Sequence, residues 1–213
     1  MSEDIEIINQ NTRIEKIKIF FLNNYKRLIG SFVLILIVLF SYFGYQEYQK
    51  RAKLEIAEIY NEITLKEITI KNTDDIKQLV KIIKEKDPIY SALSLYFIIE
   101  NDLVNEQKEI NNFFDLVIKS QKEKEIKNLI IYKKAMYNAD IAEENELLEI
   151  LNPILKSESV WKSHALLLMA DYFDHNNNSI KSKDFLQEIV NSELVNNEIR
   201  VEAERRLKRN SGG

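Results

Sequence analysis

Residues 28–46 (LIGSFVLILIVLFSYFGYQ) run for nineteen positions without a charge. Wound as an α-helix the stretch is about 28 Å long, close to the hydrocarbon thickness of a bilayer. A soluble core helix of that length has to be apolar all round and buried inside a large domain. This one has only 27 residues before it and charged sequence on both sides. The pattern predicts a membrane-spanning helix over 28–46. A cytoplasmic segment, residues 1–27, precedes it, and a domain held at the membrane surface, residues 47–213, follows.

A cleaved signal peptide fits less well, since that needs a shorter apolar region and a small-residue cleavage site. Here the run exits through SYFGYQE, without an A-x-A-like site. Phe20, Phe21 and Tyr25 come before it, and Tyr42, Phe43, Tyr45 and Tyr48 after. Amphipathic rings favour the headgroup level, so these residues form the expected aromatic belt. Five cations precede the span (Arg13, Lys16, Lys18, Lys26, Arg27), and Lys50, Arg51 and Lys53 follow it closely. The excess favours a cytoplasmic N-terminus. In a bacterium the chain is then a single-pass inner-membrane protein with a periplasmic domain.

The formal charge of −4 is unevenly shared. Residues 52–213 carry 23 cations and 29 anions, a balance that does not attract polyphosphate, so nucleic acid is a poor partner. There is no cysteine, which excludes disulfides and thiolate zinc sites. Four glycines and two prolines leave little turn punctuation, which suits helices and argues against a many-stranded sheet.

Along the chain, residues 1–11 read as a short, polar, mobile end. Thr12 followed by Glu15 matches a capping box, so a helix is expected to start there, with Ile14, Ile17, Phe21 and Tyr25 at helical spacing. After the span, residues 48–70 keep that spacing with no breaker. Residues 72–75 (NTDD) read as a loop ending in an N-cap, and Asp87-Pro88 as a cap followed by proline at the first helical position. Further helices are expected at 88–100, 106–120, 123–138, 143–156, 160–174 (capped by Ser159), 179–191 and 197–209. Pro153 bends or tightens its helix, and 211–213 frays.

These helices repeat. Steps of 36 residues give three columns: Ala57, Leu93, Leu129, Ala165; Ile59, Leu95, Ile131, Leu167; and Tyr60, Tyr96, Tyr132, Leu168. Helix pairs at a 34–36-residue period point to a tetratricopeptide-like array, in which neighbours stack to bury faces that no pair buries alone. The expected fold is all-α: a transmembrane helix followed by an α-solenoid of degenerate TPR-like helix pairs.

Residues 42–48, 90–102, 147–155 (LLEILNPIL), 160–174 (VWKSHALLLMADYFD) and 183–190 carry a resemblance. The chain resembles a family of single-span bacterial inner-membrane proteins with a TPR-like periplasmic domain, related to the ancillary subunit of the Sec translocon. Ala170 with Phe173 fits the family's small-to-aromatic spacing, and Ser182 and Leu186 take the later small and large positions. Its usual turn glycine is replaced by Asn176-Asn177-Asn178, and asparagine tolerates the left-handed conformation needed there. The resemblance implies an accessory role at the Sec translocon, contact with emerging periplasmic chains, and partnership with a membrane-anchored prolyl isomerase chaperone.

Candidate chemistry is sparse. His164 and His175 are too few and too far apart in setting for a metal site. Acidic pairs such as Glu143-Glu144 and Asp74-Asp75 fall at helix starts, where the dipole favours anions. No phosphate loop, nucleophile elbow or HExxH motif is present. No cofactor, metal or catalytic residue is expected, and the chain does not read as an enzyme. Trp161 reads either as packing under the preceding loop or as a binding anchor. Tyr60, Tyr96 and Tyr132 either rim the core or line a concave groove. Arg205, Arg206, Lys208 and Arg209 read as a solvated face. The expected function is a membrane-anchored protein–protein interaction module, with a spacer or oligomerisation subunit of another inner-membrane complex as the alternative.

Overall fold

The structure, a computed structural model, describes residues 2–65, 72–192 and 195–211, with side chains within 14–209. Among these residues there are nine helices and no strand. The chain divides into two units, Met1–Glu55 and Ile56–Gly213.

Helix α1 (Ser2–Thr64) makes up the first unit and enters the second. It corrects two expectations: residues 2–11 are helical, and Thr12 lies inside a helix instead of capping one. The reason is that no glycine or proline precedes Gly30, so nothing there interrupts the i→i−4 ladder. The part Ile14–Thr64 is long and apolar enough to cross a membrane, and none of its most apolar window is buried. Phe32, Leu34, Ile37 and Phe40 all stand exposed. At the far side of the apolar run, Gln46 donates to the Tyr42 hydroxyl (2.7 Å) and Gln49 to that of Tyr45 (3.0 Å). Tyr42 and Tyr45 thus each pair their polar tip with an amide one turn on.

The second unit opens with the last turns of α1, where Ile56 and Ile63 are buried. The expected helix end at Ile70 lies outside the described residues, as does the 212–213 end; Ser211 itself closes a helix. Then follow α2 (Thr73–Glu85), α3 (Tyr90–Glu100), α4 (Gln107–Ser120), α5 (Lys124–Asn138), α6 (Glu144–Leu155), α7 (Lys162–His175), α8 (Ser179–Asn191) and α9 (Asn197–Ser211). From α2 onward each helix packs on the next; α2 also touches α4, α5 touches α7, and α7 touches α9.

Local chemistry sets the boundaries. Asn72 caps α2 by accepting from the Asp74 N–H, so Thr73–Asp75 are already helical. Asp87 Oδ1 accepts from Ile89 and Tyr90 N–H, both at 2.9 Å, and Pro88 needs no partner there. Regular α3 therefore starts two residues later than the proline suggests. Glu143 and Glu146 form a reciprocal capping box at α6. Ser159 accepts from the Trp161 N–H (3.2 Å), and regular α7 starts at Lys162.

Glycine forms none of the described turns of this unit, since Gly30 and Gly44 both lie in α1. Lys86, Asp102 and Asn177 take the left-handed conformation instead, at φ 60°, 49° and 57°. After α7, Asn178 N–H donates to the Phe173 carbonyl (2.8 Å) and Asn177 N–H to that of Asp174 (3.1 Å). That is a Schellman cap with asparagine where glycine is usual.

Buried residues form three clusters. The first joins α2, α3 and α4 through Leu79, Ile83, Leu95, Ile98, Phe113 and Phe114. The second joins α5, α6 and α7 through Ile131, Ala135, Leu147, Leu151, Ile154 and Met169. The third joins α7, α8 and α9 through Leu166, Ala170, Leu186, Ile189, Ile199 and Ala203. Ile118 packs against the first two, and Leu155 and Phe185 against the last two. Each fully buried Leu, Ile or Phe contributes roughly 1.5–3 kcal/mol.

Several polar ties between helices span 33 to 37 residues, beside others that span 19 to 31. Gln121 donates to the Pro88 carbonyl across 33 residues, and Ser159 to Glu125 across 34. Arg206 meets Asp171 across 35, and Lys181 meets Glu144 across 37.

Candidate interaction surfaces

The three tyrosines singled out by the 36-residue step are all half-buried and all sit at the edge of a core cluster. Their surroundings differ. Tyr60 packs against Tyr90 (5.7 Å between ring centroids) and Phe97 (6.5 Å). Burial, helped by the charge of Glu100, raises its pKa. Tyr96 lies under the ammonium of Lys133, 4.6 Å from the ring centroid, a cation–π contact. Desolvation pushes its pKa up to about 12.

Tyr132 and Trp161 are brought together. Their rings stack at 5.9 Å and 22°, and His164 meets both, at 5.8 Å from Tyr132 and 5.1 Å from Trp161. Burial and then the Asp171 carboxylate raise the Tyr132 pKa. Trp161 therefore packs on α5 through Tyr132 as well as beside its own loop. The sequence names His164 only as a poor metal ligand with an ordinary structural or surface role, and its i+3 spacing from Trp161 puts both rings on one helix face. Its Nδ1 is buried without a hydrogen-bond partner. Trp161 and His164, but not Tyr132, line an open groove of about 660 Å³ together with Glu158, Ser159, Val160, Val195 and Asn196. Glu125 fixes the rim, accepting from Ser159 Oγ (2.6 Å) and the Val160 N–H (3.2 Å).

The column thus contributes three separate aromatic contacts, and none of its tyrosines lines this groove; Tyr132 backs Trp161, which does. An exposed Val160 and a half-buried Trp161 beside a carboxylate can hold an apolar or cationic side chain.

Neither protein-family models, nor curated proteins, nor solved structures give a match to this chain.

The basic end of α9 differs from a solvated face at one position. Arg206 is half-buried and bonds both Glu202 and Asp171, tying α9 to α7. Burial opposes its charge, but hydrogen bonds to Asp171 and Glu202 outweigh that and raise its pKa. The Arg206 hydrogen bond in turn lowers the pKa of Glu202. Among the described residues, no three His, Cys, Asp or Glu side chains group as metal ligands would.

Proposed function

We propose that this chain is a membrane-anchored protein-interaction module, in which α1 tethers a TPR-like helical array to a bacterial inner membrane. The observation that carries the reading is the exposed apolar window of α1, which needs a nonaqueous surround, in one chain with a grooved helical unit. Polar ties at separations of 33 to 37 residues support the array, because they match the period of a two-helix repeat. The tether confines the array near membrane partners and so raises its effective concentration there. Charge bias across the span favours an N-terminus in the cytoplasm and the array in the periplasm. The resemblance of its sequence to the Sec ancillary family suggests an accessory role at the translocon, with periplasmic chains as clients and a membrane-anchored prolyl isomerase chaperone as companion.

Photo-crosslinking from Val160 and Ile180, both exposed, in intact bacterial membranes tests this. Recovery of translocon subunits or newly exported chains is expected. Their absence from every position overturns the client role and leaves a spacer. Protease added to spheroplasts should digest the array, and its survival would reverse the orientation.

A further inference from the structure

A second open concavity lies where α4, α5 and α6 meet, with a volume of about 680 Å³. Its floor is apolar, formed by Ile118, Ile131 and Ile150, with Ile141 of the α5–α6 turn 59% exposed beside it.

One wall is built of side-chain amides. Asn138, only 3% exposed, donates to Asn111 Oδ1 (2.8 Å) and to the Lys134 carbonyl (2.7 Å). Its Oδ1 accepts from Asn111 Nδ2 (2.9 Å) and Gln107 Nε2 (3.1 Å). A primary amide offers two donors and two lone pairs, so Asn138 is saturated. Asn138 thus engages both the oxygen and the nitrogen of Asn111 and the nitrogen of Gln107. Each keeps a further N–H and a further lone pair, and both residues line the groove.

The opposite wall supplies a backbone acceptor. Pro153 lies inside α6 and has no N–H, so the Glu149 carbonyl lacks its i+4 donor. Both Glu149 and Pro153 line the groove. A proline at such a position weakens the helix, and here the residue whose carbonyl loses its helical donor lines an open concavity. The rim carries a charge bias as well. Lys134 pairs with Asp115 at 2.7 Å, and of the other charged lining residues Glu146, which also accepts from the Glu143 N–H, and Glu149 outnumber Lys108.

We propose that this groove holds an extended, apolar segment of another polypeptide that carries a basic residue. The inference rests on the interaction role above and names where a client sits and in what conformation. Alternate side chains of an extended strand reach the isoleucine floor. Its backbone N–H and C=O groups meet the Glu149 carbonyl and the amides of Asn111 and Gln107, and its cation meets the acidic rim. A helical partner has its own backbone groups paired and makes no use of those three positions.

The test uses the full chain in lipid nanodiscs and a fluorescein-labelled decapeptide of alternating valine and serine with one central lysine. Anisotropy should show saturable binding, weakened when glutamate replaces the lysine. Pro153→Ala gives the Glu149 carbonyl an intrahelical donor; it should raise the melting temperature while weakening the peptide about fivefold. Ile141→Asp, at an exposed position, should weaken it about tenfold without changing the melting temperature. Absence of saturable binding, or equal affinity in wild type and both variants, overturns the proposal. A shift of the variants from dimer to monomer in sedimentation also overturns it, since the occupant is then a second copy. Crosslinks from Val160 that persist while peptide binding fails remove this groove alone; loss of both removes the interaction role too.

Discussion

Glu202 lies between two guanidinium groups, with its Oε1 2.7 Å from Arg206 Nε and its Oε2 bonded to Arg205. The Arg206 hydrogen bond lowers its pKa below the ordinary 4.5. A depressed carboxylate contributes its stability in full above that ordinary value and loses it as pH falls through the lowered one. Glu202→Gln should therefore lower the urea midpoint at pH 7, with the difference from wild type closing on acidification below pH 4.5. Tyr96 works in the opposite direction. Its pKa of about 12 means that its contribution is full below pH 10 and is lost between 10 and 12. Tyr96→Phe should flatten the fall of the urea midpoint across that window. The half-burial of the tyrosines was legible in the sequence, because they recur beside apolar columns. Their partners were not, because Lys133, Phe97 and Trp161 reach them from other turns or other helices and no spacing encodes that. Arg206 shows the same limit: next to Arg205 it reads as surface, yet it bonds Asp171, 35 residues away.

At the level of single helices, the presence of most starts was readable where a side chain can satisfy an orphaned backbone group, as Asn72, Asp87 and Glu143 each do. The exact residue was not: the cap expected at the end of 72–75 is Asn72, α3 begins after Pro88, and Glu143, expected inside its helix, caps it. Thr12 has the same letters for a cap but sits in unbroken helical sequence, and propagation of an existing helix is easier than nucleation of a new one. The turn after α7 was readable too, because asparagine is among the few residues at ease with positive φ. Asn177→Gly should leave stability nearly unchanged. Asn177→Val should lower it by about 1–2 kcal/mol, read from thermal melting, because a β-branched side chain clashes in that conformation. Pro153 was legible as an irregularity in α6, but the groove that it and Glu149 line became visible only with α4 and α5 in place.

For the whole molecule, the candidate span was plain in the sequence because nineteen uncharged residues need no tertiary information to recognise. The grooves were hidden because their walls come from residues about thirty apart. Leu36→Arg should disfavour insertion of α1 by about 3 kcal/mol, seen as release of the chain by alkaline carbonate. Leu186→Ala, in the third cluster, should destabilise its surroundings by about 2–5 kcal/mol. Hydrogen exchange should speed up in α8 and α9, while α2, α3 and α4 keep their protection. A protein with three hearts in a row is worn down piecemeal. A protease trimming inward from α9 meets the last of them first, and the expected remnant is a shorter, still folded stub around Leu79 and Phe114 in place of wholesale collapse.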